Sequence, residues 1–143
     1  MVNGQMTART EQGGMRRERA FDLDERTFEF GVRVVRMVNT LPRVAAAPEI
    51  IRQIVRSSTS IGANLEEARG AESHADFSHK LSVAYKEARE TRYWLRVIQA
   101  SLLDVPEVVA LIQESDELVR ILSKSIHTAR GRHSAQTASE IDH

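Results

Sequence analysis

The amino-acid sequence predicts an all-α chain, an antiparallel up-down-up-down four-helix bundle, and three observations predict it. Apolar and small residues recur at steps of three and four through four successive stretches. The three prolines, Pro42, Pro48 and Pro106, fall at the edges of those stretches, where a missing N–H and a fixed φ do least harm to a helix. No stretch alternates with the period of two that a half-buried strand needs. Short connections between four such stretches force neighbouring helices to run oppositely.

The first helix is predicted over 24–41, with Asp24 as N-cap and Phe28, Val32, Val35, Val38 and Leu41 sharing its inner face. Pro42 ends it. Pro48 suits the first turn of a second helix, and Ile51, Ile54, Ser58, Ile61, Leu65 and Ala68 continue a heptad-like stripe towards Gly70. Ser73 and Asp76 approximate a capping box ahead of the third helix. Its seam, Phe77, Leu81, Ala84, Ala88, Thr91, Leu95, Ile98 and Leu102, is unbroken. A fourth helix opens around Asp104, Pro106 and Glu107 and turns Leu111, Ser115, Leu118, Leu122, Ser125 and Ala129 inward. Small residues in the seams, Ser58, Ala84, Ala88 and Ser115, allow close helix approach.

The 143 residues suit one domain large enough to bury a core without staples. Residues 1–22 read as a flexible leader, 23–130 as the bundle and 131–143 as a flexible tail. The absence of cysteine removes disulfides and thiolate metal sites and fits a reducing compartment, so a soluble, cytoplasmic protein is expected. The leader mixes charges and has no apolar run, unlike a secretory signal. No stretch approaches the roughly 20 apolar residues of a membrane-spanning helix, and no membrane partner is expected. Twenty basic residues balance twenty acidic ones. The whole molecule therefore lacks the long-range field that draws in phosphate backbones. Between residues 23 and 123 there are 13 basic and 15 acidic groups, a slightly acidic body.

The third helix carries more than a core seam. At about 100° per residue, Arg89, Arg92 and Arg96 fall in one stripe with Tyr85, while Val83, Glu87, Glu90 and Trp94 occupy the other flank. Lys86, Tyr93 and Val97 face outward. Aromatic and aliphatic residues where a monomer needs polar ones point to a second buried surface, formed with copies of the same chain or with another protein. The arginine stripe has two readings. In one, the three arginines pair with Glu87 and Glu90, in exposed or intersubunit ion pairs. In the other, Lys86, Arg89, Arg92 and Arg96 track an RNA or DNA backbone with Tyr85 or Tyr93 stacking on bases.

Chemistry finds little foothold. A two-metal carboxylate site in a bundle needs two Glu-x-x-His motifs on facing helices, and within the predicted bundle, residues 23–130, Asp76-x-x-His79 stands alone as a carboxylate-x-x-His pair. His74 and His79 read as solvated, and His127, His133 and His143 form no helical pair, so no metal site is expected. Ser57, Ser58, Thr59 and Ser60 lack an adjacent histidine and a nucleophile elbow. Neither a Gly-x-Gly-x-x-Gly turn nor a Walker loop is present, and no cofactor is expected. Asn64, Glu67 and Glu90 lie near the seams, where a polar residue commonly fixes register or oligomer state.

Two runs carry a resemblance. They are Gln53-x-x-Arg56-Ser57-Ser58-Thr59-Ser60-Ile61-Gly62-Ala63-Asn64-Leu65-x-Glu67-Ala68, then Asp76-Phe77-x-x-Lys80-Leu81 with Ala84-x-Lys86-Glu87-Ala88-x-Glu90-Thr91-x-Tyr93-Trp94-Leu95. Together with the Leu41-Pro42 helix ending, they resemble the four-helix-bundle family first named for proteins encoded in ribosomal-RNA intervening sequences, over about residues 26–127. The resemblance implies an antiparallel bundle, a ring-like homopentamer and no established enzyme activity. It also implies a shared set in Asn64, Glu67, Glu87, Glu90 and Trp94, structural or at the subunit interface, to which the outward Tyr93 is added here. A branch of that family, the accessory protein of diversity-generating retroelements, is a basic pentamer that binds reverse transcriptase and nucleic acid. The neutral charge of this chain departs from that branch. The expectation is a non-enzymatic oligomeric scaffold, with an RNA- or DNA-binding accessory role as the alternative.

Overall fold

The computed structural model describes residues 22–141, and the leader predicted over 1–22 lies, except for Asp22, outside the described residues. Four helices make up the fold: α1 over 22–38, α2 from Ala47 to Arg69, α3 from His74 to Ser101 and α4 from Pro106 to Ile141. No strand occurs among the described residues. Each boundary has a local cause. Behind α1, the N–H groups of Thr40 and Leu41 turn back on the carbonyls of Met37 and Val38 before Pro42 stops the helix. Pro48 occupies the first turn of α2. At α3 the Ser73 hydroxyl accepts from the Asp76 N–H at 3.0 Å, as the capping pattern predicts.

Side-chain pairs fix the direction of every neighbouring pair of helices. Gly31 of α1 lies against Ser58 and Thr59, while the earlier Thr27 and Phe28 lie against the later Gly62, so α1 and α2 are antiparallel. Arg56 reaches Glu87 and Glu90, and Glu67 reaches back to Lys80. Arg26 pairs with Glu114 and Glu117, and the later Arg33 with the earlier Glu107. Arg92 meets Asp116, while the earlier Ser82, Tyr85 and Lys86 share a groove with Ser123, His127 and Arg130. The helices thus run up, down, up and down around a square, with α1 and α3 on one diagonal.

The core fills the axis of that square. In α3 the predicted seam is buried from Leu81 to Ile98 without a miss. Ser58, Ala84, Ala88 and Ser115 are fully enclosed, and their small side chains let the helices close up. The hydroxyls that go inside are satisfied: Thr91 Oγ1 lies 2.9 Å from Ser57 Oγ and 2.8 Å from the Glu87 carbonyl oxygen. Ser115 donates to the Ile112 carbonyl at 2.7 Å. Among the described residues no helix is long and apolar enough to cross a membrane.

Three expectations are corrected. The inner stripe of α1 is Thr27, Phe30, Val34, Met37 and Leu41, with Val38 and Leu41 buried as expected but Phe28, Val32 and Val35 off the core; Phe28 and Val35 face outward. Both stripes recur at three and four, so periodicity alone could not choose between them. Asp24 is not an N-cap. It lies inside α1 and holds Arg69 of α2 at 2.6 Å. Finally, α4 runs through Gly131 to Ile141, beyond the tail boundary expected at 131. Apart from Gly131, which costs a helix about 1 kcal/mol, the added residues are compatible with a helix. They are exposed, and His133 stacks on His74 with ring centroids 4.7 Å apart.

Candidate interaction surfaces

The misphased stripe of α1 builds the most distinctive surface. Phe28, Val32 and Val35 project beside α2, and Phe28 remains 61% exposed and Val35 39%. Next to them Gly31, Gly62 and Ala63 floor a groove between the two helices, with Thr59, Glu66, Asp24 and Arg36 on its margins. The glycines set the depth. A Cβ on Gly62 would sit in contact with the Thr27 hydroxyl at 3.4 Å and one on Gly31 with the Ser58 carbonyl oxygen at 3.7 Å, so without these side chains the floor stays low between the two helices. A ridge of one aromatic and two valines beside a shallow floor of small residues is a shape that protein surfaces fill by docking another helix.

On α3 the structure brings Lys86, Arg89, Arg92 and Arg96 together with Tyr93 along one outer face, as the helical spacing predicts, and Glu90, expected on the other flank, borders the same face. Tyr93 is 57% exposed. The four cations are not equivalent. Arg92 pairs with Asp116 of α4 at 3.1 Å, and the Arg89 guanidinium sits over the Tyr85 ring, 5.7 Å from its centroid. Lys86 and Arg96 have no ion-pair partner among the described residues. Trp94 leaves this face. It is half-buried, packs against the core and meets Tyr93 edge to face at 5.2 Å, with its indole N–H buried and without an acceptor among the described residues. Val83 and Val97 are likewise partly covered.

The carboxylates near the seams are engaged within the chain. Glu87 and Glu90 both take the Arg56 guanidinium, and Glu67 takes Lys80 at 2.6 Å, forming a ladder between α2 and α3. Burial opposes the Arg56 charge, but the hydrogen bond and the charge of Glu87, joined by Glu90, hold its pKa above the ordinary arginine value. The hydrogen bond that Lys80 donates to the Glu67 carboxylate raises the Lys80 pKa in the same sense. Asn64 stays within α2 and donates to the Ser60 carbonyl at 2.8 Å. These groups lock two helices in register, the task for which polar residues beside a seam are suited. No cluster of three or more metal-ligating side chains occurs among the described residues. Asp76 is used by its backbone in the α3 cap, and His74 by its stacking on His133.

The α1–α2 groove was missed from sequence. The legible signal was the pair Gly31 and Gly62, two glycines inside otherwise strong helices, which mark close backbone approach.

Comparison with known proteins agrees with this architecture. The model of the 23S rRNA-intervening sequence protein family matches residues 19–124, from the threshold of α1 to the middle of α4. A solved structure of a protein of unknown function from the S23 ribosomal protein family of Bacteroides thetaiotaomicron is 34% identical, with a TM-score of 0.64. The match covers 73% of this chain and 97% of that one. No curated protein matches the sequence significantly.

Proposed function

Because the chain belongs to the 23S rRNA-intervening sequence protein family, we propose that it works as a non-enzymatic scaffold assembled from copies of itself. The observation that carries this reading is the ridge of Phe28, Val32 and Val35 over a floor of Gly31, Gly62 and Ala63. A monomer gains nothing from an apolar ridge in water, whereas burying it against a second chain contributes about 25 cal/mol for each Å² removed. The family resemblance makes five the expected number of copies. The cysteine-free sequence suits a cytoplasmic setting. The non-enzymatic part of the reading draws support from how the polar groups are used. Buried hydroxyls bond within and between helices, and the carboxylates near the seams are held in ion pairs. Light scattering behind size exclusion tests the proposal. A mass several times 16.1 kDa is expected, and a monomer across the micromolar range sinks it.

A second reading rests on a specific observation, the outward cations Lys86, Arg89 and Arg96 beside the exposed Tyr93. Such a face suits RNA or DNA, with phosphates on the cations and a base on the ring. It requires binding that weakens steeply with salt. Retention that is indifferent to salt, or absent at 50 mM, removes it.

A further inference from the structure

On α1, α2 and α3 the charges left without an ion pair inside the chain are sorted by face. On α1 and α2, Glu25, Glu29 and Glu66 make no ion pair among the described residues, and Arg36 is the one cation of those two helices in the same position. On α3 beyond its first two turns, the groups left over are all positive: Lys86, Arg89 and Arg96. Within a neutral total, these two surfaces carry opposite sign. Each also presents an exposed aromatic, Phe28 on one and Tyr93 on the other. Their lengths agree. Glu25 to Val35 and Lys86 to Arg96 are each ten residue steps, about 15 Å of helix.

We propose that the α1–α2 groove of one copy receives the α3 face of a second copy. The Tyr93 ring lies over the floor of Gly31 and Gly62 beside Phe28, with Lys86, Arg89 and Arg96 against Glu25, Glu29 and Glu66. This rests on the self-assembly reading above and adds which faces meet. A groove docked on a groove would bring Glu25, Glu29 and Glu66 towards their own counterparts and leave the α3 cations unanswered, an arrangement that costs both affinity and register. Arg36 stands past Val35 at the far end of the ridge, the one like charge of the groove that the end of the docked α3 stretch approaches. Because α1 and α3 lie on one diagonal of the bundle, the contact is head to tail. Each copy keeps a free groove when its α3 face is used, so addition continues until a ring closes.

The test uses two full-length variants. Val32→Arg blocks the groove and leaves the α3 face whole; R89E/R96E reverses the α3 face and leaves the groove whole. All three positions lie outside the core, and unchanged urea midpoints, taken at concentrations low enough to dissociate the wild type, are the control for folding. Wild type is expected to assemble, each variant alone to run as a 16.1 kDa monomer, and an equimolar mixture to give a species of two chains and no larger. One contact is intact in that mixture, and both propagating ends are dead. Adding E29R/E66R to R89E/R96E in one chain is expected to restore the large assembly. The proposal is overturned if R89E/R96E alone assembles like wild type, or if the mixture stays monomeric. It also falls if R89E/R96E abolishes co-elution with an RNA and DNA pool while the mass of the assembly is kept, which gives the face to nucleic acid. A wild-type monomer removes the self-assembly reading itself, a result distinct from all of these.

Discussion

Replacing Phe28 by alanine and, separately, Phe30 by alanine sets two nearby side chains of one helix against each other. Phe30 is 1% exposed, and its truncation leaves a core cavity worth about 3–5 kcal/mol of chain stability. Phe28 is 61% exposed, so of the roughly 200 Å² an aromatic side chain can bury, about 120 Å² still faces solvent in the single chain. Covering that area with another copy is worth about 3 kcal/mol at 25 cal/mol per Å². Alanine keeps its Cβ, so the loss per contact is about 2–3 kcal/mol, a weakening of roughly 30- to 160-fold. Urea unfolding followed by far-UV circular dichroism, at concentrations low enough to dissociate the wild type, reads the first effect free of linkage to assembly. A dilution series by light scattering reads the second. Phe30→Ala should lower the unfolding free energy severely, and Phe28→Ala should leave it within about 1 kcal/mol while moving dissociation to much higher concentration. Equal damage to chain stability by the two would refute the phase of α1, and an unchanged dilution curve for Phe28→Ala would refute the role given to its outer face.

Other perturbations check separate parts of the structure. Ser73→Ala removes the acceptor of the Asp76 N–H and should cost about 1 kcal/mol in urea unfolding. Ala88→Leu forces three extra carbons into a fully enclosed site and should cost about 1–3 kcal/mol or more, read as a drop in thermal midpoint. A Cβ at Gly31 would meet nothing nearer than 3.7 Å, so Gly31→Ala is expected to raise the unfolding free energy by up to about 1 kcal/mol through helix propensity alone, read by urea unfolding. Deleting residues 132–143 should change the unfolding free energy by less than about 0.5 kcal/mol, because the described residues there are exposed. A larger loss would show that the His74–His133 stack holds the end of the bundle.

The seam of α3 could be read from the chain residue by residue, because there the residues on the opposite faces are charged or polar at nearly every step. Leu81, Ala84, Ala88, Thr91, Leu95 and Ile98 had no rival stripe. In α1 two apolar stripes compete. The real one carries Thr27 and the rejected one Phe28, so hydrophobicity favoured the wrong face until tertiary contacts decided. The cluster of Lys86, Arg89, Arg92, Arg96 and Tyr93 follows from helical spacing and was legible in full. Which of those cations already has a partner was not legible, since Asp116 comes to Arg92 from another helix. The groove was hidden for the same reason. It is made by Gly31 and Gly62 from different helices, and only their meeting makes a floor. The extension of α4 past Gly131 escaped because one glycine was given the weight of a terminator, although nothing after it breaks a helix.

The bundle also has a front and a back. Leu23 at the start of α1 shares a hollow with Phe77 of α3 and with Thr128 and Arg132 of α4, so the first described turn and the long C-terminal helix leave from one pole. Past Ala129, α4 reaches about 18 Å further in the same direction. Among the described residues, the opposite pole holds the two bends near Thr40 and Leu103. A fluorophore or affinity handle attached at Asp22 or at Ile141 is thereby delivered to a single side of the described bundle.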